Sequence, residues 1–254
     1  MKVLNTKGIT KVYGGSDGVN STAALNGIDI SIDKGEFVGV MGPSGSGKTT
    51  LLNILSGIDS PTTGVVEIGG ENIASLDKYQ LALFRRKKLG FVFQEFNLLD
   101  SLTLKENIML PMILDKREQV EMLETAKEIM TLFDIYDIGD KYPYNVSGGQ
   151  QQRAAVSRAL VNSPAIVFAD EPTGNLDSKS SKAVMKCLQK INEEKSGTIL
   201  MVTHDAFAAS YCKRIIFIKD GNVTMEIISK GDRKEFFDRI LDCLAVIGGE
   251  KDDL

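Results

Sequence analysis

Residues 42–50 have the composition of a phosphate-binding loop. The run consists of Gly42, Pro43, Ser44, Gly45, Ser46, Gly47, Lys48, Thr49 and Thr50, and its first eight residues match the pattern G-x-x-x-x-G-K-[ST] in full. Glycines allow such a loop to wrap closely around an anion, so that its backbone amides point inward. Lys48 would place a positive charge at the β- and γ-phosphates, and Thr49 would offer a hydroxyl to Mg²⁺. The run therefore predicts a site for a nucleoside triphosphate with Mg²⁺.

Two adjacent acids, Asp170 and Glu171, follow the apolar run at residues 166–169. The carboxyl ends of strands are where open α/β sheets bind their ligands. We expect Asp170 to hold Mg²⁺, directly or through water, and Glu171 to act as the general base on the attacking water. Repulsion between neighbouring carboxylates helps to keep one of them basic. An ordinary Asp-Glu-Pro turn is the alternative for this segment taken alone, and the complete phosphate loop favours the catalytic interpretation.

Between these two motifs lies the segment VSGGQQQR at residues 146–153. Ser147 and Gln150 have the spacing of a capping box, which predicts the start of a helix. Gly148 and Gly149 directly after the cap would cost helix stability. That cost has a reason if the backbone amides of the helix start approach an anion closely. Because the chain already holds phosphates at residues 42–49, this second site is expected to serve a neighbouring subunit.

The elements that would position these residues can be predicted from periodicity. Residues 1–36 alternate apolar and polar positions, which indicates antiparallel strands, whereas residues 37–41 have no polar face and indicate a strand buried on both sides. A helix is expected over 48–56, and residues 75–145 are mainly helical in pattern. Further helices are expected at 118–133 and 148–161, and further strands at 65–68, 90–93, 166–169, 198–202, 214–219 and 222–228. The helix at 118–133 is expected to be amphipathic, with one face formed by Val120, Leu123, Ala126, Lys127, Met130 and Phe133.

Together, the phosphate loop, the VSGGQQQR segment and the acidic strand resemble the nucleotide-binding subunits of ABC transporters. The resemblance covers nearly the whole chain and implies an ATPase that uses ATP and Mg²⁺. It implies an α/β fold, namely a P-loop NTPase (RecA-like) core with a mainly parallel sheet, an N-terminal antiparallel β subdomain and an inserted α-helical subdomain. The expected division is an ATPase domain at 1–230, with its core at about 1–94 and 161–230 and its helical subdomain at about 95–160. A short helical tail would follow at 231–254.

The same resemblance assigns roles to single residues between the motifs. Gln94 would sense Mg²⁺ and the γ-phosphate, and His204, the one histidine of the chain, would contact the γ-phosphate. Asp177 ends the sequence Asn175-Leu176-Asp177, which matches the family's dimer-contact loop. Tyr13 would stack on adenine, although a buried strand tyrosine is a fair alternative. The catalytic set implied is thus Lys48, Glu171 and His204.

The run FADEPTGNLD at residues 168–177 resembles the subgroup of macrolide exporters, lipoprotein-release ATPases and bacitracin-resistance ATPases, and the tail is most similar to the bacitracin-resistance branch. Such subunits are expected to pair head to tail with a second copy, so that each signature segment covers the other's γ-phosphate. They lie at the cytoplasmic face of the membrane as peripheral proteins, with an integral membrane permease as partner and a sensor histidine kinase reached through it.

Composition excludes several other classes. A net charge of −4 argues against nucleic acid as the main partner, and the basic cluster at 85–88 is expected to be a solvated helix end. The three scattered cysteines, Cys187, Cys212 and Cys243, have no metal spacing and indicate reduced thiols. A soluble ABC ATPase acting on ribosomes or DNA is the competing class, but the chain has one phosphate loop and no sustained heptads between 49 and 170. A lipoprotein-release or cell-division type ATPase stays open.

Overall fold

The structure is a computed structural model that describes residues 1–14 and 21–248. In chain order its strands and helices are β1 (Lys2–Tyr13), β2 (Thr22–Ile28), β3 (Ser31–Asp33), β4 (Phe37–Met41), α1 (Lys48–Leu55), β5 (Thr63–Ile68), β6 (Glu71–Asn72), α2 (Lys78–Lys88), β7 (Leu89–Val92), α3 (Leu104–Leu114), α4 (Gln119–Leu132), α5 (Gly148–Leu160), β8 (Ile166–Asp170), α6 (Ser178–Glu194), β9 (Ile199–Val202), α7 (Ala206–Ala209), β10 (Arg214–Lys219), β11 (Asn222–Ile228) and α8 (Arg233–Gly248). None of the helices in these two ranges is long and apolar enough to cross a membrane.

The first sheet is antiparallel and comes from the N-terminal part of the chain. Its order is β2-β1-β5-β6. β2 pairs with residues 9–13 of β1, and β3 pairs with residues 2–5 of the same strand. This confirms the antiparallel strands predicted over residues 1–36. Ala24 and Leu25 of β2 lie against the phosphate loop at Gly47.

The second sheet has the order β11-β10-β4-β9-β8-β7, and all its pairs are parallel except β10 with β11. β4 is buried along its whole length. Its residues Phe37 and Met41 face one core, which includes α3 to α8, and its residues Val38 and Val40 face a second core, which includes α1 and the antiparallel sheet. The mainly parallel sheet predicted from strands without a polar face is therefore confirmed.

Helices α3, α4 and α5 form the helical lobe, and α5 also packs on β7 and α6. The apolar face assigned to α4 is partly wrong. Val120 and Leu123 are 68% and 43% exposed. Ala126, Met130 and Phe133 of the predicted face do lie in the core, and the prediction left out Met122 and Ile129, which also pack against it. Val120 and Leu123 fit the same helical period as these residues, but packing against α3 and α5 places Met122 and Ile129 against the core instead.

The last helix, α8, packs on its own domain. Phe236 and Ile240 are buried in the main core, and the ammonium of Lys219 donates to the carbonyl of Ile247 at 2.7 Å near the helix end. Arg233, in the first turn, lies 4.4 Å from the ring centroid of Tyr211. A helix is thus observed over 233–248 of the predicted tail and packs on its own chain, while residues 249–254 of that prediction lie outside the described residues.

Candidate active site

The phosphate loop joins the end of β4 to α1, as the sequence predicts. Gly47 caps the helix with a left-handed φ of 99°, a conformation that favours glycine. A Cβ at Gly47 would lie 2.5 Å from the carbonyl oxygen of Ala24, and a Cβ at Gly42 would lie 2.0 Å from that of Ile218. These two glycines therefore also permit close packing of the loop against β2 and β10.

Lys48 lies in the first turn of α1, and its ammonium curls back over the loop. Nζ donates to the carbonyls of Gly42 at 2.9 Å and Pro43 at 2.7 Å. Burial lowers the pKa of Lys48, while the negative charges of Glu171 and Asp170 act in the opposite direction. The structure thus brings the loop lysine and the two acids of β8 into one electrostatic environment. Thr49 beside it is exposed and Thr50 is half-buried.

Asp170 is the last residue of β8, at the carboxyl edge of the parallel sheet. Burial, reinforced by the negative charge of Glu171, raises the pKa of Asp170, and the charge of Lys48 acts against that rise. The expected repulsion from the adjacent Glu171 carboxylate therefore contributes to the raised pKa of Asp170.

Glu171 makes contacts on both of its carboxylate oxygens. Oε1 lies 2.8 Å from Nδ1 of His204, and Oε2 accepts from the hydroxyl of Thr203 at 3.3 Å. The Glu171 side chain is 17% exposed whereas that of His204 is 73% exposed, so the histidine covers the acid from the solvent side. Glu171 also has a φ of 44°, a strained backbone conformation of the kind that clusters at active sites. Thr203 was missed by the sequence analysis, although it directly precedes His204.

Gln94 follows β7 and contacts the loop after Glu171. Its Nε2 donates to Oδ1 of Asn175 at 3.0 Å, and Nδ2 of Asn175 donates back to the Gln94 carbonyl at 3.3 Å. A Cβ on Gly174 would lie 2.8 Å from Gln94 Nε2. The glutamine is therefore held directly against the segment that carries Glu171, which links β7 to β8 at the site edge.

The VSGGQQQR segment begins α5 with the predicted capping box. The Gln150 amide donates to Ser147 Oγ at 3.3 Å, and the Ser147 amide donates to Gln150 Oε1 at 2.8 Å. A Cβ on Gly149 would lie 2.7 Å from Ser180 Oγ, whereas a Cβ on Gly148 would find no contact closer than 3.4 Å. Packing of α5 on α6 thus gives an independent reason for the glycine at Gly149, while the approach of both glycines to an anion stays a prediction.

Asp177 caps α6 within its own chain. Its carboxylate accepts from the amides of Lys179 and Ser180 at 2.9 and 3.0 Å and from the Ser180 hydroxyl at 2.6 Å. These bonds lower the pKa of Asp177, with the Ser180 hydroxyl as the first cause. The side chain of this predicted dimer-contact residue thus fixes the start of α6, against which Gly149 packs.

Tyr13 ends β1 and is 44% exposed, so the alternative of a buried strand tyrosine is wrong. Its hydroxyl donates to Oδ2 of Asp59 at 2.9 Å, and Oδ1 of the same carboxylate lies 2.7 Å from the ammonium of Lys11. That ammonium also lies 4.8 Å from the Tyr13 ring centroid. Asp59, which the sequence analysis did not single out, therefore tethers the ring. Stacking of Tyr13 on adenine stays a prediction.

The residues predicted to hold Mg²⁺ offer only oxygen atoms. Thr49 has a hydroxyl, Gln94 an amide oxygen and Asp170 a carboxylate, which are the hard donors that Mg²⁺ prefers. Within residues 1–14 and 21–248 no group of three or more His, Cys, Asp or Glu could hold a metal by itself. This donor set fits Mg²⁺, because that ion is usually bound by one or two protein groups together with substrate phosphates.

The chain is similar to proteins of known family over its whole length. A family model described as ABC transporter matches residues 25–174. The uncharacterized ABC transporter ATP-binding protein YvcR of Bacillus subtilis is 56% identical over 250 residues, 98% of this chain and 96% of that protein. The bacitracin export ATP-binding protein BceA of Halalkalibacterium halodurans is 50% identical over 255 residues, 100% of each.

A solved structure gives the same result. The dimeric post-hydrolysis state of the ATP-binding cassette MJ0796 of Methanocaldococcus jannaschii, bound to ADP and Pi, matches with a TM-score of 0.80 and 42% identity, covering 90% of this chain and 100% of that one. Since this fold also carries the phosphate loop and the acidic strand described above, the chain belongs to the ABC transporter family, as an ATP-binding protein with the P-loop NTPase fold and ATPase activity.

Proposed function

We propose that Glu171 is the general base of ATP hydrolysis and that His204 and Thr203 hold it in place. The observation that carries this proposal is the pair of contacts on the two Glu171 oxygens, at 2.8 Å from His204 Nδ1 and 3.3 Å from Thr203 Oγ1. A carboxylate fixed at both oxygens and half covered by an imidazole keeps one orientation toward an attacking water. The base takes the proton of that water as its oxygen approaches the γ-phosphorus.

The groups that would bind the phosphates and Mg²⁺ lie in the phosphate loop, at the end of β8 and just after β7. Lys48 brings its ammonium to the β- and γ-phosphates, and Thr49, Gln94 and Asp170 supply the oxygen atoms that fit Mg²⁺. When bound, this ion neutralises charge on the phosphates. The Lys48 ammonium donates to loop carbonyls at 2.7 and 2.9 Å, and we expect it to exchange these acceptors for phosphate oxygens when ATP binds.

Two copies of the chain would complete each site. Ser147 is exposed and Gly148 only half-buried at the start of α5, so these residues are accessible to a neighbouring molecule. The helix N-terminus there favours an anion. In the proposed head-to-tail dimer, the helix start of one copy lies over the γ-phosphate held by the other. The dimeric state of the related cassette with ADP and Pi supports this arrangement.

Replacing Glu171 by Gln tests the catalytic assignment. We expect the Glu171→Gln protein to bind ATP with unchanged affinity, to hydrolyse it roughly 10²–10⁴-fold more slowly, and to accumulate as a dimer on gel filtration with ATP. Glu193→Gln, in the exposed part of α6, is the control and should behave as wild type. A Glu171→Gln protein that turns over ATP at the wild-type rate would exclude Glu171 as the base.

For the cellular role we propose that the dimer, at the cytoplasmic face of the membrane, drives an integral membrane permease that protects against bacitracin-like or lantibiotic peptides and signals to a sensor histidine kinase. Support comes from the 50% identity to a bacitracin export ATP-binding protein over both full lengths. A strain that lacks the chain should become sensitive to bacitracin and be rescued by the wild-type chain but not by Glu171→Gln. Unchanged sensitivity would refute the resistance role and leave the ATPase assignment intact.

A further inference from the structure

Gln152 joins three functional segments through one buried amide. It lies in the second turn of α5 and is fully buried. Its Nε2 donates to the carbonyl of Phe93 at 3.0 Å and to the carbonyl of Pro172 at 2.7 Å. Phe93 directly precedes Gln94, and Pro172 directly follows Glu171. A single side chain on α5 therefore holds the backbone beside both Gln94 and Glu171.

A second contact ties the other end of the same loop to α5. The loop after Glu171 ends at Asp177, which caps α6, and Ser180 in the first turn of α6 packs against Gly149. The loop is thus attached to α5 at its start through Gln152 and at its end through Gly149. A displacement of α5 would therefore move both ends of the loop together.

Burial of the Gln152 amide at this position is energetically unfavourable. Its Oε1 has no hydrogen-bond partner among the residues that the structure describes, and a buried polar atom without a partner costs free energy. The two donated bonds determine which way the amide points. Gln152 is therefore retained for the bonds of its nitrogen to the two carbonyls.

We propose that Gln152 is a positioning residue for ATP hydrolysis, which fixes α5 to the backbone beside Gln94 and beside Glu171. Through it, the closing of a neighbouring copy onto the start of α5 sets the position of the base. This inference rests on the roles proposed above for Glu171 and Gln94. A base displaced by about 1 Å loses on the order of 10²-fold in rate, while the phosphate loop, which Gln152 does not contact, keeps its affinity for ATP.

A matched control exists on α6. Asn192 is 5% exposed, and its Nδ2 donates to the carbonyls of Gly35 and Gly197, both at 2.8 Å. It has the same chemistry as Gln152, a buried amide with two main-chain acceptors, but joins turns at the opposite, amino-terminal edge of the sheet strands β4 and β9. Asn192→Leu and Gln152→Met each remove two such bonds while keeping the size of the side chain.

The test compares Gln152→Met, Asn192→Leu and wild type in the full chain, well below their melting temperatures. We expect both variants to lose melting temperature to a similar degree and to keep the ATP affinity of wild type by titration calorimetry. Turnover per folded molecule should fall about 10–10²-fold in Gln152→Met only. Equal turnover in the two variants would reduce Gln152 to a structural residue and overturn the proposal.

Gln152→Glu provides a second readout if Gln152→Met does not fold. A protonated carboxyl of the same shape can donate to one of the two carbonyls, whereas the ionised form is repelled by both. Its turnover relative to wild type should therefore rise as the pH is lowered from about 8 to about 6, and a ratio that does not change with pH would overturn the proposal.

If Glu171→Gln retains turnover, the proposed base fails. If Glu171→Gln is inactive while Gln152→Met matches Asn192→Leu, the present inference alone fails.

Discussion

Gly148 and Gly149 are adjacent in the first turn of α5, but an added methyl group meets different surroundings at each. At Gly149 a Cβ would lie 2.7 Å from Ser180 Oγ and 2.8 Å from Ser180 Cβ. At Gly148 the nearest atoms, on Leu176 and Phe96, are 3.4 Å away, an ordinary van der Waals distance. Gly149→Ala and Gly148→Ala therefore make the same chemical change in the same helix turn with opposite expected effects on stability.

The magnitudes follow from two terms. Alanine in place of a helical glycine stabilises by up to about 1 kcal/mol, and both positions lie inside α5. Overpacking a close contact costs about 1–3 kcal/mol, and this term applies to Gly149 alone. The unfolding free energies of the two variants should thus differ by about 1–3 kcal/mol, with Gly149→Ala the less stable. For a chain of this size that is a difference of about 2–12 °C in melting temperature.

Thermal unfolding of the nucleotide-free proteins measures this difference, and a double-mutant cycle locates it. Ser180→Gly removes both atoms that the new methyl would meet, and its own cost, which includes the bond to Asp177, cancels in the cycle. In the Ser180→Gly background Gly149→Ala should no longer destabilise. If both alanine variants melt together, or if Ser180→Gly does not rescue Gly149→Ala, the packing explanation of Gly149 is refuted.

At Gly148 we expect the added methyl group to impair turnover rather than stability. Because its backbone is proposed to approach the γ-phosphate of the neighbouring copy, a methyl group there should reduce ATP hydrolysis and the ATP-dependent dimer although the melting temperature does not fall. A Gly148→Ala protein with wild-type turnover would count against the proposed contact with a partner's nucleotide.

Two further predictions concern other parts of the molecule. Tyr13→Ala should weaken ATP binding about 5–150-fold, since base stacking on an aromatic ring contributes about 1–3 kcal/mol, whereas Tyr13→Phe should lose only the effect of the Asp59 tether; titration with inorganic triphosphate, which has no base, should not distinguish the variants. Burial raises the pKa of Cys187 to about 11, so this thiol should react with Ellman's reagent only after unfolding, while the half-buried Cys243 should react in the native protein. Equal native rates for the two thiols would contradict the packing of α6.

The parts of the fold that could be predicted are those encoded by neighbouring residues. β4 was predicted because its five residues contain no polar face, and the strand–loop–helix around the phosphate loop follows from local composition. The face of α4 could not be predicted in the same way. Val120 and Leu123 fit a helical period as well as Met122 and Ile129 do, and only contacts with other helices show which pair packs against the core.

The site shows the same limit. Asp170 and Glu171 were found because they are adjacent in the chain and end a buried run, and Thr203 could have been found, since it precedes His204. Contacts between distant residues gave no such signal. Nothing near Gly149 in the sequence indicates that Ser180 lies against it, so its conformational cost was attributed to a ligand.

In the proposed dimer the first turns of α5 would contact two molecules. Gly149 and Gln152 face inward, where they fix α6 and the backbone beside Glu171, whereas Ser147 is exposed and Gly148 only half-buried at the helix start. In the proposed mechanism the inward residues would make the position of the base depend on the position of the helix, and the outward residues would make the position of the helix sensitive to a neighbouring copy. Hydrolysis would then respond to pairing without any part of the partner touching Glu171, because the rigid helix between them carries the displacement.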